Sequence, residues 1–225
     1  MQSDSALDRP RVKICGLTRR QDAELAEHLG ADYLGFVLTS GFGRSVAEAD
    51  ARSLTEGLAV SRVAVLVDES EDRAVALARL IDADVIQLHG SEPPELVRRV
   101  RESGDWRVWK AVRAGAVEDV LGAVLHYGAT VDGLLIEGWK EGFVGGAGAT
   151  LALAPDAVRA ALPDRLTFVL AGGLTPDSVS AAIRDFRPGV VDVSSGVEGS
   201  PGQKDADRMR RFVSAARNVE GERHP

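Results

Sequence analysis

The sequence predicts an α/β protein, a single (β/α)8 barrel of the TIM type. Three observations carry this. Eight short, β-branched apolar runs alternate with longer amphipathic stretches from Val12 to about Val213, with no low-complexity linker between them. The strand candidates are nearly continuous in apolar character, which suits a parallel sheet covered on both faces. At 225 residues the chain has a length at which one barrel is common and two cores are not required.

Taken in order, the first strand, Val12–Cys15, ends in the only cysteine and leads through Gly16 to Thr18, a residue type that caps helices. "RRQDAELAEHLG" then places Ala and Leu at helical spacing, and Tyr33–Val37 is the second strand. Val63–Val67 precedes the helix "DRAVALARLI", and Val85–Leu88 precedes "PPELVRRVRES". Val108–Val112, Leu134–Glu137 and Thr167–Ala171 follow as strands five to seven. Thr175-Pro176 opens the seventh helix, "PDSVSAAIRDF", with proline in a first-turn position that suits it, and Val190–Val193 is the last strand. A doubly wound dinucleotide-binding sheet would carry GxGxxG after its first strand, where this chain has "CGLTRR". The expected division is a polar extension at 1–10, the barrel at 11–218 and a polar tail at 219–225.

Composition narrows the function classes. No apolar run approaches the ~18 residues of a membrane span, and the polar start lacks the features of a signal peptide. One cysteine makes no internal disulfide, so a cytoplasmic protein is expected. A net charge of -7 argues against a nucleic-acid groove while leaving room for a small basic pocket. His28, His89, His126 and His224 are scattered in a pattern unlike a zinc site, so no metal is expected.

In a barrel the chemistry sits at the C-terminal ends of the strands. Cys15 ends strand one; a lone cysteine is often a small buried hydrophobe, but at this face it is a candidate base if a helix N-terminus or a cation lowers its pKa. Glu137 is the ionisable residue ending strand six, a candidate acid against the plainer reading of a solvated carboxylate. After it, Gly145, Gly146 and Gly148 offer backbone amides that a ligand can approach closely, or else form a solvent loop. Gly172 and Gly173 after strand seven, with Ser194, Ser195 and Gly196 after strand eight, place amides and hydroxyls where many barrels bind phosphate. His89 after strand four reads equally as a packed polar residue or a ligand contact. Arg113 after strand five reads as structural or as a surface ion pair. Arg44, in a glycine-bearing loop after strand two, is suited to grip a carboxylate.

Four segments, "KICGLTRRQDAELAEHLGADYLGFV" at Lys13–Val37, "VIQLHGSE" at Val85–Glu92, "LAGGLTPDSV" at Leu170–Val179 and "VDVSSGVEGSPGQKDADRMRRF" at Val191–Phe212, resemble the phosphoribosylanthranilate isomerase family. The resemblance implies a cofactor-free Amadori rearrangement of N-(5-phosphoribosyl)anthranilate to 1-(o-carboxyphenylamino)-1-deoxyribulose 5-phosphate in tryptophan biosynthesis. By position it makes Cys15 the general base, Gly172, Gly173, Ser195 and Gly196 parts of the phosphate loops, and Arg44 the carboxylate grip. The family's general acid is an aspartate at the end of strand six, where this chain has Glu137. Its "GGTG" becomes Gly145-Gly146-Ala147-Gly148, and its serine-proline-arginine becomes "FGR" at Arg44. The expected partner is a small phosphosugar substrate, and the expected state is a monomer or homodimer. Two other readings stay open: a relative retuned to a different phosphosugar or amino-sugar conjugate, and a phosphosugar-binding barrel without catalysis.

Overall fold

The computed structural model describes residues 9–138 and 150–219. The polar ends expected at 1–10 and 219–225 therefore lie largely outside the described residues, as do Gly145, Gly146, Ala147 and Gly148. Eight parallel strands close into a barrel in sequence order, with β8 pairing back onto β1. They are β1 Arg11–Cys15, β2 Tyr33–Val37, β3 Ser61–Leu66, β4 Val85–Leu88, β5 Arg107–Ala114, β6 Gly133–Gly138, β7 Thr167–Leu170 and β8 Val190–Val193. Each strand expected from the sequence is present within one or two residues of its limits.

The strands are buried on both faces because two apolar layers meet on them. Outward residues such as Val12, Ile14, Leu34, Phe36 and Ile86 pack under helices, while Val63, Val65, Val85, Trp109, Leu135 and Val169 fill the barrel interior. Helices α1 Arg20–His28, α2 Glu48–Thr55, α3 Glu71–Leu80, α4 Pro94–Glu102, α5 Val117–Tyr127, α6 Pro155–Ala161, α7 Val179–Phe186 and α8 Ala206–Arg217 cover the outside.

A repeated aspartate staples the N-terminal face. Asp32, Asp84 and Asp132 each stand just before an even-numbered strand, and each carboxylate accepts a backbone N–H from the preceding odd strand: Val12 at 2.7 Å, Arg62 at 2.8 Å and Val108 at 2.8 Å. These bonds fix parallel register at the strand starts, where the ladder has no earlier partner. A hydrogen bond to a charged acceptor contributes about 1.5–3 kcal/mol, so Asp32→Ala, which also frees Arg217, is expected to lower the urea midpoint without changing the slope of unfolding free energy.

Two capping expectations fare differently. Thr18 does not cap α1, which begins at Arg20 after Arg19; its hydroxyl instead donates to the Gly202 carbonyl at 2.5 Å, tying the β1 loop to a hairpin near the C-terminus. The Thr175 hydroxyl does accept the Ser178 N–H at 3.3 Å, but it closes a turn ahead of α7, which begins only at Val179, so Pro176 lies in that turn and not in the first turn of the helix. The hairpin itself, β9 Glu198–Ser200 and β10 Gln203–Lys204, was not expected from the sequence, being too short to leave a periodic signal.

Candidate active site

Cys15 and Lys13 are two residues apart on β1, so both side chains enter the barrel. Gly35 on β2 makes the space: a Cβ there would lie 2.8 Å from the Cys15 sulfur and 3.1 Å from Lys13 Nζ. Lys13 is fully buried, with its ammonium 3.0 Å from Asp192 on β8, its register partner, and facing the Cys15 sulfur. Burial pushes the Cys15 thiol up, while the Lys13 and Lys204 ammonium groups oppose that shift. The buried lysine is thus the nearest source of thiolate stabilisation. The helix N-terminus expected to serve this role begins five residues later, at Arg20.

Three loops converge on Gly16, whose φ is +70°. A Cβ at this position would lie 2.6 Å from Arg44 Cδ and 2.9 Å from Ser194 Oγ, so glycine lets the β1 loop touch both. Arg44 is not a free guanidinium. Its Nε and Nη2 donate to the two carboxylate oxygens of Glu198 at 2.7 and 2.8 Å. Lys204, with a fully buried side chain, donates to the same carboxylate at 2.9 Å and to the Ser194 carbonyl at 3.1 Å. This network accounts for the glutamate and lysine of "SSGVEGSPGQKD": they staple the hairpin and hold Arg44 at the barrel mouth.

Burial would raise the Glu198 carboxyl, but the hydrogen bonds and charges of Arg44 and Lys204 outweigh it and hold the pKa down to about 2. A carboxyl depressed from 4.5 stabilises the fold fully above that pH and progressively less as the pH falls toward 2. The stability gap between wild type and Glu198→Gln is therefore expected to be widest above pH 4.5 and to close as the pH approaches 2, followed by urea unfolding.

Gly172 and Gly173 adopt φ of +88° and +63°, a conformation that turns the chain sharply after β7. Gly196, in a 3-10 turn over Ser195–Val197, sits against the same loop: a Cβ there would lie 1.9 Å from the Leu174 carbonyl oxygen. The two loops expected to take phosphate are therefore packed together. The N–H groups of Gly172, Gly173, Ser195 and Gly196 have no backbone acceptor among the described residues, so they are available to an anion.

On the other side of the barrel, β4, β5 and β6 form a second cluster. His89 Nε2 is 3.4 Å from Glu137 Oε1, and Arg113 Nε donates to the same oxygen at 3.1 Å. Burial alone would raise the Glu137 carboxyl; the hydrogen bond and charge of His89 and the charge of Arg113 outweigh it and hold it below the usual range. Arg113 is indeed in an ion pair, but its partner is the candidate acid. Below the cluster, the His89–Glu92 loop is anchored by a buried ion pair, Lys110 to Glu92 at 3.1 Å, with Lys110 also donating to the Gly90 carbonyl at 2.8 Å. Glu92 accepts the N–H groups of Asp68 and Gly90.

Sequence reasoning therefore located both clusters but missed Lys13, Asp192, Glu198, Lys204, Gln87, Lys110 and Glu92. The available signal was charge at inward-facing positions of otherwise apolar strands, as in "VKIC" and "VVDV". Among the described residues no group of histidine, cysteine and carboxylate side chains could hold a metal ion, and no helix is long and apolar enough to cross a membrane.

The family model for N-(5'-phosphoribosyl)anthranilate (PRA) isomerase matches residues 12–215. The N-(5'-phosphoribosyl)anthranilate isomerase of Chromohalobacter salexigens is 40% identical over 212 residues, covering 93% of this chain and 95% of that one. A dimeric phosphoribosylanthranilate isomerase from Thermotoga maritima, solved as generated monomers, superposes with a TM-score of 0.77 at 36% identity over 92% of this chain and 98% of its own. Another phosphoribosyl anthranilate isomerase, solved with reduced 1-(o-carboxyphenylamino)-1-deoxyribulose 5-phosphate, gives 0.76 at 34% identity over 92% and 98%.

Proposed function

Because the chain belongs to the N-(5'-phosphoribosyl)anthranilate isomerase family, we propose that its two clusters are the base and acid halves of one isomerase site. The protein is an enzyme of tryptophan biosynthesis that converts N-(5-phosphoribosyl)anthranilate to 1-(o-carboxyphenylamino)-1-deoxyribulose 5-phosphate. The reaction needs one proton delivered to the ribose ring oxygen and another removed from C2. The observation that supports the reading is the opposition of Cys15 on β1 to Glu137 on β6 and His89 after β4, across the mouth of an eight-stranded barrel.

In this reading the substrate phosphate rests on the amides after β7 and β8, which fixes the ribose between the two clusters and converts binding energy into orientation. Glu137 protonates the ring oxygen, the C1–O bond opens, and the anthranilate nitrogen forms an imine with C1. Cys15, as thiolate, then takes the C2 proton to give the enolamine, which tautomerises to the ketose. Lys13 stabilises the thiolate, and Asp192 keeps the buried ammonium compensated. Arg44, braced on Glu198, directs its remaining N–H groups to the anthranilate carboxylate. Gly145, Gly146 and Gly148, expected to contact the substrate, lie outside the described residues. The enzyme works in the cytoplasm on a small phosphosugar, as a monomer or homodimer.

The experiment is to generate phosphoribosylanthranilate in situ, add the purified protein and identify the product. The expected outcome is rapid loss of substrate fluorescence with appearance of the deoxyribulose phosphate. Folded protein that binds the reduced product but turns over nothing would overturn the substrate assignment.

A further inference from the structure

We infer that the acidic proton of the site is shared between Glu137 and His89, with the buried amide of Gln87 turning to accommodate either location. This rests on the reading of Glu137 as the acid on β6. A carboxyl whose oxygen already receives Arg113 and His89 holds its own proton poorly, yet a general acid must be protonated when the substrate is bound. The group that can supply the proton is the imidazole against that oxygen.

Gln87 gives His89 two ways to exist. It is fully buried at the centre of β4, and its Nε2 lies 2.7 Å from His89 Nδ1. With the amide donating, the imidazole is neutral and carries its proton on Nε2, aimed at Glu137. In that orientation Gln87 Oε1 is buried with no hydrogen-bond partner among the described residues. A half-turn of the amide brings Oε1 to Nδ1, where it accepts the second N–H of an imidazolium, and leaves an amide hydrogen unpartnered instead. Each orientation therefore leaves a buried polar group unpaired, so neither protonation state is locked. The other charged groups around His89 among the described residues are Arg113 on β5, the Lys110–Glu92 pair beneath its loop and Asp68 from the β3–α3 loop.

In the proton's path, imidazolium Nε2–H passes to the Glu137 carboxylate, and the carboxyl so formed donates that one proton to the ribose ring oxygen. The C1–O electron pair stays on that oxygen, which becomes a hydroxyl, and His89 is left neutral with its proton on Nδ1, held by Gln87 Oε1. Solvent restores the proton after product leaves.

The test is the pH dependence of kcat for wild type and His89→Gln. With a thiol base that titrates higher than the acid, kcat rises with pH while the thiolate grows, and levels off where the acid begins to lose its proton. Sharing places that break above the range of a lone carboxyl, and His89→Gln moves it down into that range. The plateau falls about tenfold for each unit the break moves down. A wild-type break already in the carboxyl range, or an unmoved break in the variant, overturns the inference. Histidine 15N spectra of the wild type with reduced product bound give a second readout that needs no variant. His89 should pass from imidazolium to neutral at the kcat break, and an imidazole neutral throughout about pH 5–8 contradicts it. Glu137→Gln separates the two ideas: if it turns over like wild type, the acid reading itself fails, whereas failure of the histidine results alone leaves Glu137 as a lone acid.

Discussion

Cys15→Ala is expected to lower kcat by about 10³-fold or more, the upper part of the range for a positioned general base. The alanine keeps Cβ and removes only the sulfur, so β1 retains its register and the Lys13–Asp192 pair stays in place. Affinity for the reduced product should stay within a few-fold, because the amides proposed to hold the phosphate belong to the β7 and β8 loops. Steady-state turnover and calorimetric binding on the same preparation check both halves. A variant with near wild-type turnover would remove the base assignment.

Glu137→Gln is expected to cost about 10²–10³-fold in kcat, while Glu137→Asp retains far more activity. Glutamine preserves length and can still accept from His89 and Arg113 through its carbonyl oxygen, but carries no transferable proton. Aspartate keeps the acid and shortens its reach by one methylene, within a cluster whose arginine and histidine are both available to follow it. Turnover of the two variants side by side, at a pH where both are folded, gives the ranking. Equal rates for Gln and wild type would place the acid elsewhere.

The barrel was legible because its signal is local: an apolar strand, a turn residue and an amphipathic helix each leave their mark within a short window. The strand-end rule then located Cys15, Glu137 and the β7 and β8 loops. What was not legible is pairing across the closed sheet. Lys13 and Asp192 lie 179 residues apart and meet only because β8 returns to β1. Arg44 reads as a free carboxylate grip until Glu198, from a hairpin too short to announce itself, takes two of its N–H groups. Gln87 draws no notice within an apolar strand, because its contact with His89 depends on rotamers. Thr18 shows the converse: a residue apt for a cap is drawn into a tertiary bond that a local reading does not contain.

The central claim, that the thiolate of Cys15 performs the proton abstraction, has a direct test because the chain holds one cysteine. A small reversible reagent, methyl methanethiosulfonate, adds a methylthio group to that sulfur without any change of sequence. Turnover should fall in proportion to modification, be protected by the reduced product, and return in full when the mixed disulfide is reduced. Complete modification with turnover intact would contradict the account.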